Sequence, residues 1–166
     1  MTTKIIFSLL LFVGFFSTPT IAQYKLDGNN LVLPTTIVFK NGSDHIESES
    51  DKMLDYLKTY LDNKSSVTLL RIESHVADAK TPEKAQSLSE KRAFAITKAL
   101  VKRGVDCKRL LPVGFGMTKP MMENASATGK EKNTRIMIVN TQLRNKSISN
   151  MPIDGGGKVA GDVCSE

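Results

Sequence analysis

Arg92 has the most clearly defined chemistry in this chain and lies in the segment Leu88-Ser89-Glu90-Lys91-Arg92-Ala93. Its guanidinium group stays protonated and presents a rigid fork of donors that can bind a carboxylate through two hydrogen bonds. The alternative is an ordinary helical arginine, either solvated or paired with Glu73 or an aspartate. Spacing alone favours the ordinary arginine, so this residue by itself does not establish a carboxylate site.

His75 and Asp78 could act as a general base and its orienting carboxylate near the end of a strand. The sequence, however, contains no Gly-x-Ser-x-Gly motif that would supply a nucleophile. Its two histidines, His45 and His75, lack the spacing of a metal-binding pair. Cys107 has no histidine near it in the sequence and is more simply a structural thiol. We therefore expect a protein that is not an enzyme and that uses no metal or cofactor.

Four segments have the patterns of strands that would position these residues. The first is Leu31–Lys40, which Pro34 restricts to a sheet edge or to its later half. The second is Ser66–Ser74, with apolar residues on both faces, which is typical of a central strand. The last two are Leu110–Val113 and Ile136–Val139.

Two amphipathic helices separate the first three strands. One is predicted to begin at Ser48, whose side chain would cap the first turn together with Asp51. The other is predicted to begin with Thr81 as the cap and Pro82 at the first helical position, and to end at Gly104. Their apolar stripes comprise Met53, Leu54, Leu57 and Leu61 in the first helix, and Ala85, Leu88, Ala95, Ile96, Ala99 and Leu100 in the second.

The order strand, helix, strand, helix, strand, loop, strand predicts an α+β fold. We expect a two-layer α/β sandwich in which the helices cover one face of a mixed sheet. Residues 35–140 would form this domain, and residues 23–34 a short segment before it. Residues 141–166 are rich in Asn, Ser and Gly, so they are expected to form a flexible tail.

The N-terminus has the pattern of a secretory signal peptide. Lys4 precedes an apolar run over residues 5–16, and Thr20-Ile21-Ala22 supplies the small residues of a cleavage site. A membrane anchor is the alternative, but the run is shorter than the roughly 20 residues that a bilayer core requires. Residues 1–22 are therefore predicted to be removed. No cysteine lies near Ala22, so a lipoprotein anchor is not expected.

The chain is moderately basic, with 23 Lys and Arg against 17 Asp and Glu. Removing residues 1–22 takes away only Lys4 and leaves 22 basic residues and a net charge of +5. This balance suits an anionic wall or membrane surface, although a merely soluble basic protein would have it too. No basic stripe with interleaved aromatic residues is present, so no nucleic-acid partner is predicted.

Cys107 and Cys164 are the only two cysteines. An oxidising compartment would permit them to pair and to tie the C-terminal residues to the domain. Two free thiols, or one thiol used in an intermolecular bridge, are the alternatives.

Several segments occur together in one order. Phe39 and Ser74-His75 come first, then the Leu-Ser-x-x-Arg-Ala segment at 88–93, then Gly114-Phe115-Gly116 with Pro120, and last Asn133-Thr134-Arg135 before an apolar strand. This set resembles the OmpA-like domain, the periplasmic module that anchors outer-membrane proteins and lipoproteins to peptidoglycan. The resemblance covers residues 35–140 and implies a βαβαββ plan, a non-catalytic role, and a periplasmic location at the cell wall or outer membrane.

The resemblance also assigns roles to individual residues. Arg92 falls on the arginine that holds a carboxylate of diaminopimelate in the peptidoglycan stem peptide, and His75 on a histidine that shapes the binding loop. The aspartate that contacts the ammonium group of the same amino acid is replaced by Ala77. Either Asp78, one residue later, takes that role, or the contact is lost. The family's asparagine at the position of Ala85 is also absent.

Other matching positions are expected to be structural. Leu88 belongs to the helix segment, and Gly114 and Gly116 would permit positive φ or close approach. Asn133 opens a segment similar to the family's Asn-Arg-Arg turn. Arg135 either pairs with an acid on the neighbouring strand or is one of the arginines that commonly begin a strand. Two functions remain open at this point. One is peptidoglycan binding, and the other is a scaffold that has lost this ligand and contacts another envelope protein.

Overall fold

The structure, a computed structural model, describes residues 24–148, 150 and 152–165. The expected signal peptide, residues 1–22, lies outside the described residues. The helices are α1 (Asp51–Asn63), α2 (Pro82–Lys102) and α3 (Ala127–Asn133). The strands are β1 (Leu26–Asp27), β2 (Asn30–Leu31), β3 (Val67–His75), β4 (Leu110–Gly116), β5 (Arg135–Leu143), β6 (Lys146–Ser147) and β7 (Lys158–Val159).

A mixed sheet forms one layer of the fold. Its strand order is β1-β2-β5-β3-β4-β7, and β6 pairs with β5 beside this path. β3 is central, since it runs parallel to β4 on one side and antiparallel to β5 on the other. Helices α1 and α2 join β3 in one hydrophobic core that includes Leu57, Leu70, Ile72, Ile96 and Leu100. The predicted α+β class is confirmed.

Helix α2 begins where local signals in the sequence place it. Thr81 has an extended backbone, and its hydroxyl accepts a hydrogen bond from the backbone N–H of Lys84 at 3.3 Å. Pro82 follows at the first position, where a missing N–H is harmless. Gly104 has φ +90°, a conformation that side chains disfavour, and it turns the chain away after the helix.

Two glycines let α2 lie directly against β4. A Cβ on Gly114 would come within 2.6 Å of the backbone nitrogen of Glu90. Gly116 has φ +50°, and a Cβ there would approach the backbone of Gln86 to 3.0 Å. The hydroxyl of Ser89 accepts a hydrogen bond from the Gly116 N–H at 2.9 Å, so it satisfies that donor at the contact. The close approach fixes the N-terminal half of α2 relative to the sheet.

The predicted strand over Leu31–Lys40 was wrong. Only Leu31 belongs to a strand, and residues 32–40 are irregular apart from one bridge between Phe39 and Ile46. Val38 donates its N–H to the hydroxyl of Ser50 at 2.8 Å, and that hydroxyl donates to the carbonyl of Val38 at 3.3 Å. The hydroxyl of Ser50 thus satisfies the backbone groups of Val38 that a neighbouring strand would otherwise bond.

The predicted start of the first helix was also wrong. Residues Ser48–Ser50 form a 3-10 turn, and α1 begins at Asp51. No side chain caps α1, because the hydroxyl of Ser50 is engaged by Val38 instead.

Helix α3 lies where a loop was expected. The hydroxyl of Ser126 accepts from the N–H of Gly129 at 3.0 Å and caps the first turn. The segment lacks an apolar stripe and contains a glycine, so its periodicity does not indicate a helix. Gly129 is required there, since a Cβ would lie 2.0 Å from the carbonyl oxygen of Glu123.

The described residues of the segment 141–166 do not form the expected flexible tail. β5 continues to Leu143, and β7 pairs with β4 through Val113–Val159 and Gly114–Lys158. The structure joins Cys107 and Cys164 in a disulfide, and Val163 beside it is buried in the core. The composition of this segment suggested disorder, but two long-range contacts, a sheet edge and a disulfide, hold it in place.

The C-terminal segment also covers a row of ionisable side chains on β3. Arg71 donates from Nε to Glu73 Oε1 at 2.7 Å and from Nη1 to the carbonyl of Ile153 at 2.5 Å. Glu73 Oε2 lies 3.4 Å from Nε2 of His75, whose ring stacks on Phe115 with centroids 4.8 Å apart. The row therefore links the centre of the sheet to the C-terminal residues.

Candidate ligand-binding site

A cleft of about 310 Å³ opens beside Arg92. We call it the Arg92 cleft. Its walls are residues 36–39, Asn41, Asp78, Arg92 and residues 134–136. The cleft therefore brings together α2, the loop after β3, the beginning of β5 and the irregular segment before α1.

Arg92 is held on three sides and left open on the fourth. Its side chain projects from α2, and the residue is only 7% exposed. Nε donates to the carbonyl of Ser43 at 2.8 Å, and Cζ lies 4.9 Å from the ring centroid of Phe39. Among the described residues, the two terminal nitrogens have no hydrogen-bonding partner, and they are not sealed from solvent. The outer edge of the fork is thus free to accept a planar anion.

Burial and two nearby carboxylates act on the charge of Arg92 in opposite directions. Burial lowers the pKa of its guanidinium, while the negative charges of Asp78 and Asp44 oppose that lowering. Neither carboxylate forms an ion pair with Arg92 within the part of the chain that the structure describes. A buried cation without a close anion is costly, and a bound carboxylate would relieve that cost.

Asp78 lies on the wall of the same cleft, and Ala77 does not face it. Asp78 is exposed, and its Oδ1 lies 3.4 Å from the hydroxyl of Thr134. Ala77 is 3% exposed, and its backbone N–H donates to the same hydroxyl at 3.1 Å. The carboxylate that borders the Arg92 cleft is thus that of Asp78, one residue after the position at which the family has its aspartate.

His75 does not line the cleft, and its expected role in shaping the binding loop stays a prediction. Its side chain is 2% exposed and lies over Phe115 on the face that the C-terminal segment covers. Burial lowers the pKa of its imidazole, and the hydrogen bond with Glu73 opposes this. Nδ1 has no partner among the described residues. His75 is thus a buried neutral side chain behind the site.

An ion pair between Arg135 and an acid on the neighbouring strand was one expectation, and the described residues do not form it. Arg135 donates to the carbonyls of Asn133 and Lys119, both at 3.2 Å, and it forms no ion pair with any described residue. The nearby carboxylate of Glu73 is already taken by Arg71. Burial lowers the pKa of Arg135, and the charge of Glu73 opposes the lowering.

Asn133 and Leu88 lie outside the lining of the Arg92 cleft. The buried amide of Asn133 accepts from the N–H groups of Met121 and Met122 at 2.7 and 3.0 Å. Its nitrogen donates at 2.6 Å to the Met122 carbonyl and to Oδ1 of Asn124. Leu88 is half-buried and lines a neighbouring groove.

Two further observations limit the chemistry. The part of the chain that the structure describes contains no group of three or more His, Cys, Asp or Glu side chains arranged to hold a metal ion. Of the helices in the described ranges, none combines the length and the hydrophobicity that crossing a membrane would require.

Comparison with known proteins agrees with this architecture. The sequence profile of the OmpA family matches residues 38–134, more than half of the chain. The chain belongs to the OmpA family. The matched range contains Arg92, Asp78 and Thr134, and so includes most of the cleft.

This OmpA-family chain is similar to a flagellar protein and to an outer-membrane porin. It is 25% identical over 104 residues to the sodium-type flagellar protein MotY of Vibrio parahaemolyticus, covering 63% of this chain and 36% of MotY. It is 34% identical over 85 residues to outer membrane porin F of Pseudomonas aeruginosa, covering 51% of this chain and 23% of the porin. The chain therefore spans about a third or less of these two relatives, and neither name is that of an enzyme.

A solved structure shows the same fold. The peptidoglycan-associated lipoprotein of Burkholderia pseudomallei superimposes with a TM-score of 0.56 at 23% identity. The superposition covers 63% of this chain and 87% of the lipoprotein.

Reasoning from the sequence missed Ser43 and Thr134 as partners of the two charged residues. Thr134 stands where the OmpA-like pattern has an arginine, so a hydroxyl at this place was a visible departure. Ser43 gave no signal, because its contribution is a backbone carbonyl that any residue could supply.

Proposed function

We propose that this chain is a non-catalytic cell-envelope protein whose OmpA-like domain binds peptidoglycan. The ligand is the diaminopimelate of the stem peptide, held at the outer-membrane side of the periplasm. Residues 1–22 would direct export and be removed. The proposal depends mainly on one observation, the buried guanidinium of Arg92, which lines an open cleft and forms no ion pair with a described residue.

The cleft matches one end of diaminopimelate in charge. The side-chain end of this amino acid carries a carboxylate and an ammonium group on one carbon. The free edge of the Arg92 fork suits the carboxylate, and Asp78 places a negative charge on the cleft wall for the ammonium. Val76 is fully buried, and Lys80 lines the neighbouring groove, so neither side chain fills the cleft.

The comparisons support the same ligand by analogy. The lipoprotein that shares the fold is named for its association with peptidoglycan. An analogy of fold alone does not transfer a ligand, so the proposal needs a direct binding test on this chain.

A sedimentation assay tests the proposal. The processed protein is incubated with purified diaminopimelate-type peptidoglycan, pelleted and quantified, beside Arg92→Ala and Asp78→Ala. We expect the parent in the pellet and both variants in the supernatant. Arg92→Lys should bind weakly, because an ammonium group keeps the charge but not the two-pronged geometry.

Arg103→Ala is the matched control, since Arg103 follows α2 but pairs with Asp51 and Asp55 away from the cleft. It should sediment like the parent. Retention of Arg92→Ala at the parental level would refute the proposed site.

A scaffold that has lost the wall ligand is the second candidate. It is favoured by Ala77 and Ala85, which are buried and offer no polar group where the family has Asp and Asn. If the parent stays in the supernatant, this candidate replaces the first. A search for envelope protein partners would then be the next step.

A further inference from the structure

A second depression adjoins the Arg92 cleft. It has a volume of about 480 Å³ and lies over the N-terminal half of α2. Lys80, Lys84 and Lys91 line it, and we call it the lysine groove. Asn41 and Asp78 line both depressions, so the two are continuous along the surface.

The positive charge of the lysine groove is not balanced. Among the described residues, the ammonium groups of Lys80, Lys84 and Lys91 form no ion pair and no hydrogen bond. Asp78 is the one carboxylate among the groove's lining residues. The N-terminus of α2 adds the positive end of a 21-residue helix dipole. The three ammonium groups and the helix terminus thus outweigh the single carboxylate of Asp78, and the groove has a net positive charge.

The lysines are spaced along one side of α2. Lys84, Leu88 and Lys91 are separated by four and three residues, which places them on one helical face. At a rise of 1.5 Å per residue, the first and last Cα atoms are about 10 Å apart along the axis. Lys91 directly precedes Arg92, so the groove runs from the cleft toward the start of the helix.

We propose that the lysine groove is an anion subsite for a second carboxylate of the ligand that the Arg92 cleft holds. In the stem peptide, D-glutamate precedes diaminopimelate and is linked through its side-chain carboxyl, which leaves its α-carboxylate free. The side-chain carboxylate of diaminopimelate and the α-carboxylate of D-glutamate are joined by a chain of about eleven bonds, which can span the ~10 Å over which the lysines are spaced, so the two carboxylates fit adjoining depressions. This inference depends on the proposed function.

The lysine groove would then make the protein distinguish peptidoglycan by the chemical state of its D-glutamate. In a stem peptide whose D-glutamate is amidated to D-isoglutamine, that carboxylate is replaced by a neutral amide. The amide gains no Coulomb attraction from Lys84 and Lys91. The protein should therefore prefer the free acid, with a preference that weakens as salt is added.

The test compares three ligands by titration calorimetry with the processed protein. They are meso-diaminopimelate, the tripeptide L-Ala-γ-D-Glu-diaminopimelate, and the same tripeptide amidated at the glutamate α-carboxyl. We expect the acid tripeptide to bind about two- to tenfold more tightly than the amide, as one or two half-exposed ion pairs would give. In Lys84→Ala/Lys91→Ala the two tripeptides should bind equally, and diaminopimelate should bind as to the parent.

Lys52→Ala/Lys102→Ala is the matched control, because it removes the same charge from exposed lysines outside the groove. It should keep the preference for the acid. If the parent binds diaminopimelate but does not distinguish the two tripeptides, the subsite is refuted and the proposed function stands. If the parent binds none of the three ligands, both fall together.

Discussion

The hydroxyl of Thr134 lies 3.4 Å from Oδ1 of Asp78 at the mouth of the Arg92 cleft. The hydroxyl oxygen of Thr134 also accepts a hydrogen bond from the backbone N–H of Ala77 at 3.1 Å. One side chain from the residue between α3 and β5 thus contacts both the backbone and the carboxylate of the loop after β3. Asp78 is exposed, so without this contact its side chain would be free to turn into solvent.

Replacing Thr134 by Val should weaken ligand binding without unfolding the domain. The substitution keeps the shape of the side chain but removes both hydrogen bonds. Each bond is worth about 0.5 to 1.5 kcal/mol, so we expect a loss of about two- to tenfold in affinity for diaminopimelate-type peptidoglycan. Calorimetry with the soluble tripeptide measures it.

Thr134→Ser is the informative companion, because it restores the hydroxyl and should recover most of the affinity. Thr59→Val is the control, since the Thr59 hydroxyl bonds only to the carbonyl of Asp55 on α1. If Thr134→Val binds as tightly as the parent, Thr134 does not position Asp78.

Stability should fall as the pH is lowered through the range where free histidine titrates. The pKa of His75 lies below its ordinary value of 6.5, because burial disfavours the charged form. The unfolded chain therefore takes up a proton first, so the stabilisation from neutral His75 is complete above pH 6.5 and is lost as the pH falls toward the folded-state pKa. One proton gives a slope of at most about 1.4 kcal/mol per pH unit.

The charged groups facing His75 are Glu73, Arg135 and Lys119. Burial raises the pKa of Glu73, but hydrogen bonds from His75 and Arg71 outweigh this and lower it below 4.5. Its stabilising contribution is therefore lost only at still lower pH. Urea unfolding between pH 7.5 and 5 isolates the histidine. His75→Gln should flatten the profile in that interval, and His45→Gln should not.

Arg71→Met should destabilise the domain strongly. It leaves the buried carboxylate of Glu73 without its arginine partner and frees the carbonyl of Ile153. Breaking a buried pair on one side costs about 3 to 5 kcal/mol. Chemical denaturation should show this loss, and limited proteolysis should show cleavage in the C-terminal segment.

The double variant Arg71→Met/Glu73→Leu separates the two effects. It removes both charges, so it should recover much of the stability lost in Arg71→Met. Its C-terminal segment should remain sensitive to protease, because the contact with Ile153 is still absent. A double variant as unstable as the single one would indicate that packing, and not the unpaired charge, dominates.

Breaking the disulfide should lower stability without abolishing the fold. Cys107 and Cys164 are 57 residues apart in sequence, and closing a loop of this size stabilises a domain by about 4 kcal/mol. Cys107→Ser/Cys164→Ser should therefore unfold at lower urea. Reductant should lower the midpoint of the parent by the same amount and leave that of the double variant unchanged.

Elements with complete local signals were predictable from the sequence. Helix α2 begins at Pro82 after its Thr81 cap, and the chain turns at Gly104, because cap, proline and glycine each act on their own backbone. The segment before α1 was not predictable, since its form depends on the hydroxyl of Ser50, twelve residues beyond Val38.

The sequence predicted the two charged residues of the site but not the residues that hold their side chains in place. The resemblance named Arg92 and Asp78, and the structure places both on one cleft, while ligand binding itself stays a prediction. Their partners come from far along the chain, since Ser43 is 49 residues from Arg92 and Thr134 is 56 from Asp78. A local sequence pattern cannot indicate contacts between residues so far apart along the chain.

The short strand β7 protects one edge of the sheet from pairing with other protein molecules. It pairs with Val113 and Gly114, and Ala160 donates to the carbonyl of Pro112, so the outer edge of β4 is occupied there. An open edge of this kind is a template on which another chain can grow a shared sheet. Because Cys164 fastens the segment just beyond β7, loss of the disulfide would loosen β7 and open this edge of β4 to pairing with another chain.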